Sequence, residues 1–328
     1  MRIIGASAIT SLMSMREAID LMKQAFGELS AGRAQAPLRT ALHLDAPPMD
    51  ALFMPASVPA AGALGVKLVT VAADNPARGL PLIYATVVVV DPETGAPAAL
   101  LDGTTITALR TGAVSGAATD LLASPDASTL VVFGAGAQAL TQVLAVCTVR
   151  DIRRIVVVGR SHSGLEQFAS RLEQRAPELS ERLERTTDRG AAVDADVICT
   201  ATTAREPVFD DADVQPGTHI NGVGAYTPSM REIPAATVQR ALIVVDQRQA
   251  ALEEAGDLAI PIREGLLRAE DVTVELGHLV NGDQEGRTSA DQITFFKSVG
   301  NAVQDMVVAR RALDLAKERG LGQEASLD

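Results

Sequence analysis

The sequence predicts an α/β protein of two parts, a parallel sheet covered on both faces in its second half and a β-rich α+β region before it. Three observations carry that expectation. The chain has 328 residues, 47% of them hydrophobic, and at roughly 100–200 residues per domain that length suggests two cores. Between residues 38 and 101 the segments are short, β-branched or alternating, and separated by Pro and Gly. After Pro125, fully apolar strands alternate with helices, and only a strand buried on both sides lacks polar alternation.

Taken in order, Ser14-Met15-Arg16-Glu17 reads as a capping box. Behind it Met15, Ala18, Ile19, Met22, Ala25, Phe26 and Leu29 recur at helical spacing until Gly32, with Met13, Met15 and Met22 as helix core and surface. Strands are expected at 39–44, 64–71, 83–90 and 98–101, then a small-residue helix over 105–122. Beyond Pro125 the expected order is a strand at 129–133, a helix to 149, a strand at 155–158 and a helix over 164–175. Further strands are expected at 197–199, 219–223 and 242–245. A last long helix over 293–317 is expected to return to the first part. The predicted domains are 1–120, completed by 302–328, and 121–301.

Composition excludes several classes. With 29 basic against 41 acidic side chains, a net charge of −12 repels phosphate backbones and anionic lipid, so neither nucleic acid nor a membrane surface is an expected partner. Cys147 and Cys199 cannot form a disulfide framework or a four-thiolate zinc site and suit a reducing compartment. The longest strongly apolar run, 85–90, is strand-sized, and no secretory leader pattern or Asn-x-Ser/Thr signal occurs, so a cytoplasmic globular protein is expected. His43, His162, His219 and His278 lack metal-ligand spacing, and no metal is expected; His219, opening an apolar strand, reads as a packed residue. Neither a Gly-x-Ser-x-Gly elbow nor a P-loop is present.

The chemistry concentrates at Gly134-Ala135-Gly136-Ala137-Gln138-Ala139, which follows a buried strand and opens a helix. Gly134 permits a tight turn, Gly136 lets a pyrophosphate approach the backbone, and Ala139 lets the helix pack on the strand. The helix N-terminus then offers free N–H groups to the phosphates. The turn is expected to be the dinucleotide-binding turn of a Rossmann domain, the alternative being a glycine-rich turn that only needs positive φ. At the end of the second strand the chain reads Gly159-Arg160-Ser161, with no carboxylate to accept from a ribose 2′-hydroxyl. Arg160 would attract a 2′-phosphate and Ser161 could donate to it, so NADP(H) is the expected cofactor, with NAD(H) possible; a solvated Arg is the alternative. The expected cofactor contacts are Thr111, Gly134, Ala135, Gly136, Ala137, Gln138, Arg160, Ser161, Thr200, Ala201, Val223, Lys297 and Ser298, with Lys297-Ser298 read as opening the last helix.

In the first part, Lys67 lies on an apolar strand, where burial would lower its pKa toward holding a carboxylate or donating a proton; an edge-strand lysine that blocks aggregation is the alternative. Arg39, on an alternating strand, and Arg110, on a small-residue helix beside Thr111 and Gly112, are either carboxylate-binding or solvated arginines.

The segments Pro37-Leu38-Arg39-Thr40, Gly65-Val66-Lys67-Leu68-Val69 and Thr107-Ala108-Leu109-Arg110-Thr111-Gly112, with Gly134-Ala135-Gly136, resemble the ornithine cyclodeaminase/mu-crystallin family. His219-Ile220-Asn221-Gly222-Val223-Gly224 and Phe296-Lys297-Ser298-Val299-Gly300 continue the resemblance in the family's order over nearly the whole chain. The resemblance implies a homodimer, a β-rich substrate and dimerisation domain beside a Rossmann domain, Arg39 and Arg110 as substrate-carboxylate arginines, and Lys67 as the active-site lysine. One departure stands out. Where ornithine cyclodeaminases carry an aspartate after Val-Gly, this chain has Tyr226, and a phenol with a pKa near 10 cannot act there as an anion. The expected activity is therefore NADPH-dependent reduction of a small cyclic 2-imino carboxylate, Δ1-pyrroline-2-carboxylate or Δ1-piperideine-2-carboxylate. The rivals are an NAD-dependent ornithine cyclodeaminase or alanine-dehydrogenase-like enzyme, and a non-catalytic NADP-dependent ligand-binding protein.

Overall fold

The computed structural model describes residues 1–326. Its elements begin with β1 (Arg2–Ile4), α1 (Ala6–Leu12), α2 (Met15–Ser30), β2 (Thr40–Asp45), β3 (Pro48–Val58), β4 (Ala63–Ala72), β5 (Ile83–Val90), β6 (Pro97–Asp102) and α3 (Gly103–Leu122). Next come β7 (Thr129–Phe133), α4 (Ala137–Val149), β8 (Arg154–Val158), α5 (His162–Arg175), α6 (Pro177–Ser180), β9 (Leu183–Thr186), β10 (Val197–Thr200) and β11 (His219–Gly222). The chain continues with α7 (Ala235–Arg240), β12 (Leu242–Val245), α8 (Arg248–Glu254), α9 (Gly256–Arg263), β13 (Val274–Glu275), α10 (Leu276–Asn281) and β14 (Thr294–Lys297). The helix α11 (Ala302–Glu318) and β15 (Gln323–Glu324) follow. Two compact units result, one from Met1–Arg110 with the segment from Asn301 onward, the other Thr111–Gly300, so their divide falls inside α3. No helix of the described residues is long and apolar enough to cross a membrane.

The first unit is built on a seven-stranded sheet, among the described residues, in the order β15-β1-β6-β5-β4-β3-β2. From β6 to β2 its pairs are antiparallel, while β1 runs parallel to β6 and antiparallel to β15. Helix α2 starts where Ser14 Oγ accepts from the Glu17 N–H at 3.1 Å, but the Glu17 carboxylate goes to Arg311 at 2.6 Å, so only half of the expected capping box forms. The strand β3 escaped the sequence reading because Pro48 and Pro55 interrupt it, and proline cannot donate to a ladder. Helix α11 packs on β3, β4 and β5. Gly65 leaves no room for a side chain: a Cβ there would lie 2.0 Å from the Val88 carbonyl oxygen of β5 and 3.1 Å from Met306 Sδ of α11.

The second unit holds an eight-stranded sheet, among the described residues, in the order β13-β12-β14-β11-β10-β7-β8-β9. All its pairs are parallel. Counted from β7, the run β9-β8-β7-β10-β11 has the Rossmann order, with its topological switch between β7 and β10. The fully buried Leu130, Val132, Val143, Ile155, Val157, Phe168, Val197 and Cys199 form the core beneath that switch.

The expected helix over 293–317 is corrected here. Thr294–Lys297 is the strand β14, seated between β11 and β12, because its Thr-Phe-Phe run is fully buried and β-favouring. Gly300, at φ +84°, turns the chain, and Asn301 then caps α11, its Oδ1 accepting from the Val303 N–H at 3.0 Å. The Gln304 side chain completes that box by accepting from the Asn301 N–H at 2.8 Å. Lys297 and Ser298 thus close a strand rather than open a helix.

Gly65→Ala should lower the free energy of unfolding by about 1–3 kcal/mol, because the obstructing atom is backbone and cannot swing aside. Urea denaturation at neutral pH measures the loss.

Candidate active site

In the first unit, the strand period turns Lys67 inward, and its side chain is 2% exposed. Lys67 Nζ lies 2.8 Å from Asp305 Oδ2 of α11 and 3.4 Å from Thr107 Oγ1 of α3. Arg110, one turn further along α3, approaches the other oxygen of the same carboxylate, with Nε 3.3 Å from Asp305 Oδ1. Its Nη1 donates to Gln304 Oε1 at 2.9 Å. Asp305 therefore sits between Lys67 and Arg110. Burial pushes the Lys67 ammonium down to about 8, with Asp305 pulling it back up and the Arg110 and Arg39 charges pressing it down. Arg39, half-buried just before β2, joins the cluster through that field.

The sequence reading missed Asp305, Gln304 and Thr107. Gln304-Asp305 are polar residues on the buried side of α11, beside Val303, Met306 and Val307, and that placement was the available signal.

In the second unit, β7 ends in Gly134 at φ +111°, whose N–H donates to the Val158 carbonyl at 2.8 Å. A Cβ on Gly134 would meet the Ala201 carbonyl oxygen at 2.6 Å, so the turn requires glycine. Gly136 differs. It caps α4 in extended backbone that any residue adopts, is exposed, and a Cβ there would meet nothing within 4 Å. No side chain caps α4, which leaves its first N–H groups facing open space beside Ala137 and Gln138. That cradle fits a dinucleotide pyrophosphate.

Thr200 and Ala201 continue the rim, the Ala201 N–H donating to the Phe133 carbonyl at 2.9 Å and the Val223 N–H to the Thr200 carbonyl at 3.0 Å. Thr111 is buried, and its carbonyl accepts from Gln142 Nε2 of α4 at 3.3 Å. Ser161 caps α5 by accepting from the Gly164 N–H at 3.2 Å. Arg160 beside it is exposed and makes no ion pair among the described residues.

Three buried carboxylates that the sequence reading did not single out brace this rim. Glu232 accepts from Thr200 Oγ1 at 2.9 Å, from the Thr202 N–H and hydroxyl at 2.7 Å, and from the Gly224 and Ala225 N–H groups at 2.8 and 3.0 Å. Burial and the neighbouring Asp257 raise its pKa, against Lys297 and those donors. Asp257 accepts from the Glu232 and Ile233 N–H groups and holds the fully buried Lys297 ammonium at 2.9 Å. Asp246 accepts from Ser298 Oγ at 2.8 Å and from the Val299 and Gly300 N–H groups. The Lys297 ammonium and the Ser298 hydroxyl are thus committed to Asp257 and Asp246. His219 is packed, with Nδ1 2.8 Å from Thr294 Oγ1, and burial lowers it to about 3. Tyr226 is half-buried on the loop that Glu232 anchors through Gly224 and Ala225.

A doubly wound parallel sheet with a backbone phosphate cradle, together with a buried cationic cluster suited to a carboxylate, defines a nicotinamide-dependent oxidoreductase. The chain belongs to the ornithine cyclodeaminase/mu-crystallin family, whose model matches residues 2–320. It is 40% identical over 324 residues to a Delta(1)-pyrroline-2-carboxylate reductase of Bacillus cereus, covering 98% of this chain and 99% of that protein. Among solved structures it is similar to the Thermococcus litoralis Delta(1)-pyrroline-2-carboxylate reductase in complex with NADH and L-proline. That likeness has a TM-score of 0.94 and 39% identity, covering 99% of this chain and 100% of that one. An archaeal alanine dehydrogenase dimer with bound NAD matches with a TM-score of 0.91 and 32% identity, covering 100% and 99%.

Asp257→Ala should cost about 3–5 kcal/mol of stability, because it strands the buried Lys297 ammonium without its counter-charge. Chemical denaturation of the two proteins side by side gives the difference.

Proposed function

We propose that this protein reduces a small cyclic 2-imino carboxylate, Δ1-pyrroline-2-carboxylate or Δ1-piperideine-2-carboxylate, to the cyclic amino acid, with NADPH. The observation that carries the proposal is the buried cluster of Lys67 and Arg110 around Asp305, with Arg39 in its field. Three cations and one carboxylate leave a surplus of two positive charges, and a substrate carboxylate offsets one of them. Held by Arg39, Lys67 and Arg110, a flat imino acid presents its C2 carbon in one orientation, and positioning supplies much of the rate.

When bound, the reduced cofactor supplies the hydride that C2 accepts. The C=N bond's electron pair moves to nitrogen, which carries one proton into the product amine. Lys67, lowered to about 8, is the proposed source of that proton. Tyr226 in place of a carboxylate removes an anchor for a second, distal ammonium, which favours a ready-made imine over ornithine cyclisation.

The second unit is the proposed cofactor domain, with Thr111, Gly134, Ala135, Gly136, Ala137, Gln138, Arg160, Ser161, Thr200, Ala201, Val223 and Ser298 as its contacts and Lys297 acting through Asp257. Exposed Arg160 supports NADP(H), since it is available to a 2′-phosphate. The NADH and NAD held by the two similar structures favour NAD(H) as the second reading. The first unit is the proposed substrate and dimerisation domain, and the protein a cytoplasmic homodimer. Supporting the dimer, the sheet face turned away from α11 carries Phe53, Leu64, Val66, Val88 and Leu100 beside the 38% exposed Leu68.

Lys67→Ala should abolish reduction of cyclic imino acids while NADPH binding stays nearly intact, read by absorbance at the dihydronicotinamide band and by calorimetry. Equal loss of both refutes the assignment. Arg160→Ala should raise KM for NADPH about tenfold or more and leave KM for NADH nearly unchanged, the loss of one charge-assisted contact; a preference for NADH in the unaltered enzyme refutes the cofactor reading.

A further inference from the structure

Asp305 differs from the other buried carboxylates of this protein. Glu232, Asp246 and Asp257 are each wrapped in donated hydrogen bonds from backbone N–H groups. Asp305 is equally buried, yet no backbone N–H donates to either of its oxygens. Its oxygens face cations instead, the Lys67 ammonium at 2.8 Å and Arg110 Nε at 3.3 Å. A carboxylate kept only to close a core would be saturated by donors, because unsatisfied lone pairs in a dry interior are costly. This one is held for its charge.

We propose that Asp305 is the positioning residue of the reaction: its buried carboxylate holds the Lys67 ammonium in its charged form and fixes it beside Arg110. The inference rests on the reading of Lys67 as the group that meets substrate. Lys67 is faced by Asp305 from α11, by Arg110 and Thr107 from α3, and by the Arg39 charge from the segment before β2. Asp305 is the carboxylate in that set. Without it, two guanidinium charges and a dry environment all favour the neutral amine, which neither attracts a carboxylate nor donates a proton as readily. Asp305 makes the second cation tolerable next to the first. It also keeps the lysine from swinging away from Arg110, which Gln304 holds on its far side.

Four lysines in the chain make a direct test practicable. The ¹³Cε resonance of Lys67, assigned by its disappearance in Lys67→Arg, is titrated by NMR in the full-length protein. The midpoint is expected near 8 in the unaltered protein. In Asp305→Asn it should fall by about one to three pH units, and in Asp305→Glu, which keeps the charge, it should stay close to the original. In parallel, the alkaline limb of kcat/KM for Δ1-pyrroline-2-carboxylate should move to lower pH by the same amount in Asp305→Asn, since the reaction needs the protonated lysine.

An unchanged midpoint in Asp305→Asn, or equal falls in both variants, overturns the proposal. A limb that stays in place while the midpoint moves overturns the positioning role. If Asp305→Asn fails to fold, Arg110→Gln serves: with one opposing cation removed and Asp305 left to Lys67, the midpoint should rise, and no rise overturns the proposal. Should the unaltered enzyme reduce no cyclic imino acid, the proposed reaction fails, and the Lys67 titration still decides the part played by Asp305.

Discussion

The first unit depends on one ionic arrangement, a carboxylate on α11 placed between an ammonium on β4 and a guanidinium on α3. Burying charge is expensive, and each of these groups is tolerable only in the presence of the others. The consequence is geometric. Strand, helix and C-terminal helix must all be in register for the three charges to meet. At Gly65 a Cβ would lie 3.1 Å from Met306 Sδ, which shows how closely α11 is drawn onto β4. The pairing of the charges and the packing of the sheet are therefore two aspects of the same contact.

The second unit solves a similar problem with different means. Its carboxylates work as staples: Glu232 ties the end of β10 to the loop after β11, and Asp246 gathers the turn that follows β14. Because these anions accept from backbone N–H groups, they fix the main chain around the sheet's rim, while the turn at Gly134–Gly136 offers main-chain donors with no side-chain cap. Main-chain donors of that kind suit shape and negative charge, and at the end of β8, where dinucleotide-binding folds commonly read the ribose, Arg160 stands exposed.

Much of this was legible in the amino-acid order. The parallel sheet announced itself through apolar runs such as 129–133, and the glycine turn through its place between a strand and a helix. Lys67, Arg39 and Arg110 could be singled out as cations in apolar or small-residue surroundings. What the order concealed was pairing at long range. Asp305 lies more than two hundred residues from Lys67, and nothing local marks it as that lysine's counter-charge. Asp257 and Lys297, 40 residues apart, are likewise unmarked as partners by anything local. Thr294–Lys297 was hidden for another reason: a short strand next to a long helix shares its apolar character, and only the place between β11 and β12 decides between them. Prolines hid β3 in the same way, by a local rule that its neighbours on both sides override.

The second unit is a continuous stretch of chain, whereas the first is assembled from both sides of it. One short stretch near the end of the chain completes both sheets: β14 closes the parallel sheet, and the helix that bears Asp305 follows at once and packs on the antiparallel one. Until then Lys67 and Arg110 have no carboxylate between them. The charge cluster around Lys67 is therefore assembled only once nearly the whole chain has been made.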